Sequence, residues 1–151
     1  MTVSVRVACF CAVVLTALAL VPVGAHLAAL PNKIGLPQEQ YFVVQGIYRG
    51  WALFGLVLFG ALAANLTLAV MLRRPRAPFW LALTAFVLVA GTLAAPFAWT
   101  YPANRATSDW TVAPDNWREF RVRWEYSHAV NAVLTFVALC SVTLSALLAR
   151  D

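Results

Sequence analysis

Four long apolar runs limit what this chain can fold into more than any other feature. A bilayer core about 30 Å thick takes about 20 helical residues to cross. Inside it the backbone must satisfy its own hydrogen bonds, so apolar runs of that length become helices. The runs read as helices over about 6–30, 39–72, 79–99 and 117–149, with ends good to several residues. The expected fold is all-α, a transmembrane four-helix bundle forming one membrane domain over 1–151. Composition agrees: 11% of residues are charged and 62% hydrophobic, against roughly 25% charged in soluble domains. The net charge of +5 is spread in short groups. Without a polybasic tract no nucleic-acid partner is expected, and the partner in view is the lipid bilayer. Cys9, Cys11 and Cys140 lie in apolar segments without metal-site spacing and read as small packed hydrophobes.

Two connections are short: Pro31 to Gln38, and the basic turn Arg73 to Arg76. The third, Tyr101 to Asn116, is longer and rich in Pro, Asn, Asp and Trp. Arg6, an apolar run and Val23-Gly24-Ala25 also fit a secretory signal cut before His26, which would leave three helices. The uncut reading places both termini on one side with the basic turn. The positive-inside rule makes that side cytoplasmic, in an inner or plasma membrane, and turns the other end outward.

The polar residues all fall at that outward end: His26, the start of helix two, the end of helix three, and Asn116 to His128. Read at 100° per residue, helix four places Trp117, Arg121, Trp124, Glu125, His128, Ala132 and Thr135 on one face. Arg123, Tyr126, Val130, Val133 and Val137 lie elsewhere. In helix two, Tyr41, Gln45, Tyr48 and Arg49 share a face. Arg49 sits about 15 Å along that helix and needs a counter-charge. Glu125 is its first candidate partner and Glu39 its second. The pair either pins helices two and four together or helps bind a substrate.

Glu125-x-x-His128 raises a metal question, because di-iron bundles use two such motifs. This chain has one, so no metal is expected, and a Glu–His acid/base pair is the reading adopted. His26 is either a second pocket histidine or an interfacial end to helix one. Asn104 and Asn116 either face the pocket or hold the long loop. The aromatic residues of this end are either an interfacial belt or a stacking pocket, with Trp117 and Trp124 the best pocket residues and Tyr126 a belt residue. Asn65 reads as an interhelical hydrogen-bonding residue.

The run PNKIGLPQEQYFVVQGIYRGW, then YPAN, then NWREFRVRWEYSHAVNA resembles the small four-helix membrane proteins grouped with anthrone oxygenases. Much of that grouping carries no assigned chemistry. The resemblance rests on Pro102, Asn104, Asn116-Trp117 and Arg121-x-x-x-Glu125-x-x-His128, and it spans nearly the whole chain. It implies an oxygenase that turns a planar, apolar anthrone into an anthraquinone without metal, flavin or other cofactor. On that implication His128 is the base, tuned by Glu125. Arg121 or Arg49 stabilises the oxyanion. Gln45, Tyr48, Asn104, Asn116, Trp117 and Trp124 bind the substrate. The other readings are a small-molecule binding or transport module and a membrane assembly subunit, and self-association is compatible with each. Transport is the weaker one, since neither inverted repeats nor broken helices are legible.

Overall fold

The structure, a computed structural model, describes residues 2–74 and 76–149. Pro75 of the basic turn and Arg150 lie outside the described residues. Six α-helices follow in order: α1 Val3–Lys33, α2 Gln38–Gln45, α3 Phe54–Met71, α4 Ala77–Gly91, α5 Tyr101–Ala106 and α6 Trp117–Leu148. Four stretches are long and apolar enough to cross a membrane: Val3–Lys33, Trp51–Met71, Ala77–Ala106 and Trp117–Leu148. The chain is a membrane-embedded helical bundle. In it α1 packs on α3 and α6, and α4 packs on α3 and α6, which closes a ring.

The ring closes tightly because its contact residues are small. Ala12, Ala19, Ala61, Ala69, Ala82, Ala85 and Ala138 are all buried in the same core as Leu68, Val89 and Val142. In lipid there is no aqueous hydrophobic drive between helices, so close backbone approach and side-chain hydrogen bonds hold them. Asn65 supplies one such bond, its Nδ2 donating to Thr16 Oγ1 at 2.9 Å and to its own helix at Ala61 O at 2.8 Å. Ser145 supplies another, donating to Pro78 O at 2.7 Å. Val3, Val7, Phe10, Val14, Leu18 and Val21 recur at helical spacing on the outer side of α1, where they face lipid.

Three departures from the sequence reading shape the functional end. First, α1 does not stop at Pro31 but runs on to Lys33. A proline in a last turn only frees one carbonyl, and the helix tolerates it. Second, helix two is not continuous. It breaks at Arg49-Gly50 between the 3-10 turns Gly46–Tyr48 and Trp51–Leu53. Gly50 has φ +85, a left-handed conformation that glycine adopts without penalty. Third, helix three is interrupted at Thr92-Leu93 and resumes through a π-helical turn, Pro96–Thr100, into α5. Pro96 has no N–H to return to Thr92 O, and Asn131 Nδ2 of α6 donates to that carbonyl at 3.1 Å. The expectation that no helix is broken is therefore corrected at both places.

Candidate functional site

The site begins with Glu125, whose side chain is fully buried on α6. A carboxylate there needs partners, and it has two. Lys33 Nζ lies 3.0 Å from Oε2, and Tyr41 OH donates to Oε1 at 3.0 Å. Gln45 Nε2, one turn further along α2, donates to the Tyr41 hydroxyl. Burial first, and Glu125 second, push the Tyr41 phenol well above its ordinary value, so it stays a donor. The end of α1, α2 and α6 are thus joined at one carboxylate.

This corrects the expected Arg49–Glu125 pair. Arg49 is exposed at the break, beside Gly50. Lys33, placed by sequence in a loop, sits one helical turn past where α1 was expected to end. Lys33–Glu125 is the one ion pair among the described residues. Both side chains are at most 4% exposed. The Lys33 ammonium also lies 4.6 Å from the Tyr48 ring centroid and 5.3 Å from that of Trp124, where ring quadrupoles attract it.

Below the ion pair is a ring cluster. His26, 4% exposed, has its ring centroid 4.0 Å from Tyr48, 4.8 Å from Trp124 and 4.2 Å from His128. It packs inside the ring cluster and does not end helix one, which runs on to Lys33. Trp51 closes the cluster against His26 and Tyr48. His128 Nδ1 lies 2.8 Å from Trp124 O, the carbonyl one turn earlier. A carbonyl only accepts, so that contact keeps the proton on Nδ1 and leaves Nε2 with its lone pair. Ser127, beside it, meets Thr100 of the π turn at 3.1 Å.

The remaining candidates form the roof. Arg121 donates to Leu36 O at 2.8 Å and lies over the rings of Trp117 and Tyr41, at 4.7 and 5.4 Å. It fastens the segment between α1 and α2. Trp117 packs against Tyr41 and Phe42 and stands apart from the histidines. Asn104 accepts from the Trp110 indole at 3.0 Å, which assigns it the loop-holding alternative. Trp110 is buried against Tyr41, Phe42 and Trp124. Its loop bends sharply, with positive φ at Ser108, Asp109 and Trp110. Asn116 is exposed at the start of α6 and makes no side-chain cap. Trp99, Tyr101 and Tyr126 are exposed, as belt residues are.

Of the residues read from sequence, the structure brings Gln45, Tyr48, Trp124, Glu125 and His128 to this end, but the expected Glu125–His128 pair is not formed: the carboxylate meets Lys33 and Tyr41, and the imidazole meets Trp124 O. Sequence reasoning missed Lys33 and Tyr41 as the carboxylate's partners, and Trp51. The signal for Lys33 was its spacing of seven residues from His26, two helical turns on the same face of α1. Among the described residues no three His, Cys, Asp or Glu side chains are grouped to hold a metal ion. A surface groove at the other end of the bundle, between Arg6, Phe10 and Leu147, carries none of the candidate residues. No family model, curated protein or solved structure matches this chain.

Proposed function

We propose that this membrane protein is a cofactor-independent oxygenase of a planar, apolar carbon acid of the anthrone type. The observation that carries the reading is the orientation of His128, with Nδ1 on Trp124 O at 2.8 Å and Nε2 left as a base among aromatic rings. A base in such a site removes a proton from an activated methylene. The carbanion passes an electron to O2, and recombination forms the C–O bond of a peroxide, which takes up a proton. Loss of the second methylene proton then breaks the O–O bond. A ketone and one water leave, so substrate and O2 balance ketone and H2O. Glu125 positions Lys33 and Tyr41 around the site and does not touch the reacting carbon.

The rings of His26, Tyr48, Trp124 and His128 fill the space they enclose, with centroids 4.0 to 5.6 Å apart. A substrate ring enters by parting them, beside the helical break at Gly50. We place the termini in the cytoplasm of an inner or plasma membrane and this end outward, following the Arg73–Arg74 turn.

The test is oxygen uptake by the purified protein with anthrone, above the rate in protein-free detergent. Anthraquinone and water should form in step with oxygen consumed. His128→Ala should reduce the rate at least 100-fold, in line with loss of a general base, while leaving expression and thermal unfolding in place. Anthrone binding without any oxygen uptake above background would replace the enzyme by a binding module.

A further inference from the structure

Among the described residues, six buried polar atoms of the site have no hydrogen-bond partner: the donors Lys33 Nζ, Arg121 Nε and Trp124 Nε1, the acceptors Gln45 Oε1 and Glu125 Oε2, and His26 Nδ1, which can be either. Trp124 Nε1 and His26 Nδ1 are both buried and unpartnered. An indole N–H can only donate. The Lys33 ammonium carries three donors, yet its one polar neighbour is Glu125 Oε2 at 3.0 Å. Its other near contacts are the faces of Tyr48 and Trp124. A buried donor left unmatched has given up its hydrogen bonds to water and gained none in return. Lys33 and Trp124 meet at the same ring, and His26 packs on that ring at 4.8 Å. Two cations border the aromatic cluster, Lys33 over Tyr48 and Trp124 and Arg121 over Tyr41 and Trp117, and Glu125 is ion-paired with the first. Unmatched donors beside a cation and aromatic walls are complementary to an oxygen acceptor on a flat ring.

We propose that Lys33 Nζ and Trp124 Nε1 form the seat for a ring-bound oxygen, a phenolate or quinone oxygen, of a planar aromatic ligand. This gives the oxyanion role to Lys33 in place of Arg121, which is held by Leu36 O, and of Arg49, which is exposed. The inference rests on the proposed function for the ligand's ring and on the unpartnered donors for its oxygen.

The probe is 1-hydroxyanthraquinone, whose phenol changes colour on ionisation. It is titrated against the full-length protein in detergent, with protein-free micelles as reference. The bound phenol should ionise at least tenfold more readily than the free one. Lys33→Met combined with Glu125→Gln removes the pair without changing net charge and should abolish that shift. Trp124→Phe keeps a ring and leaves the ion pair whole, so it tests the seat in a protein expected to fold, and should weaken binding severalfold. An unchanged shift in the double variant, unchanged affinity in Trp124→Phe, or no binding to the wild type would each overturn the seat. Anthrone turnover is measured alongside. Turnover without a Lys33-dependent shift removes the seat and leaves the oxygenase. A Lys33-dependent shift without turnover does the opposite.

Discussion

Lys33 changes how each candidate residue is understood. A cation with 3% of its surface exposed cannot be a loop charge, and removing its counter-ion should unbalance the whole site. Arg49, by contrast, is exposed, so Arg49→Ala should alter thermal stability by no more than about 0.5 kcal/mol. Differential scanning fluorimetry in detergent reads that directly, and a large loss would restore the pairing read from sequence. Asn104→Ala should cost about 1–2 kcal/mol, because Trp110 would lose its acceptor inside a loop with three consecutive left-handed residues. Near-UV circular dichroism should show the indole released. The polar face of α6 was legible from periodicity because a single unbroken helix keeps its phase from Trp117 to Thr135. The partner of Glu125 was not, because Pro31 read as a stop two residues before the lysine that matters.

Elements are set by where backbone hydrogen bonding fails. Helix two reads as one span because residues 39–72 contain no proline and keep helical spacing across Gly50, and periodicity does not register a change of direction. Its φ of +85 does. Gly50→Ala leaves the space around the residue open but strains the backbone. It should cost about 1–2 kcal/mol, and it should stiffen or misplace α2 rather than disturb the bundle. Limited proteolysis and fluorimetry together would separate those effects. The interruption in helix three has its own compensation in Asn131. Asn131→Leu should destabilise by about 1–3 kcal/mol because Thr92 O loses a buried donor. In a Pro96→Ala background, where a backbone N–H is restored, the same change should cost less. Equal costs in both backgrounds would show that Asn131 does not serve the proline gap.

At the scale of the molecule, lengths decide where the site lies. α1 has 31 residues and α6 has 32, each about 46–48 Å at 1.5 Å per residue. Both outrun a hydrocarbon core of about 30 Å. Lys33, Tyr41 and Glu125 meet where α1 ends and within the first turns of α6, under α2 and the Trp110 loop. On the orientation proposed above, cysteines introduced at Thr111 and Arg74 should react with a membrane-impermeant maleimide from opposite sides, Thr111 from outside the cell. The four spans and the gathering of polar residues at one end were legible because hydropathy and connection order fix them. The roof, the break at Gly50 and the ion pair were not, since each depends on a backbone interruption or on contacts between residues far apart in sequence. The account turns on Glu125 being held by the lysine at the end of α1, and a double-mutant cycle on thermal stability tests this most directly. Lys33→Met and Glu125→Gln should each destabilise the protein, Lys33→Met by about 3–5 kcal/mol. The combined variant should recover most of that loss. Strictly additive losses, or recovery when Glu125→Gln is combined with Arg49→Met instead, would contradict it.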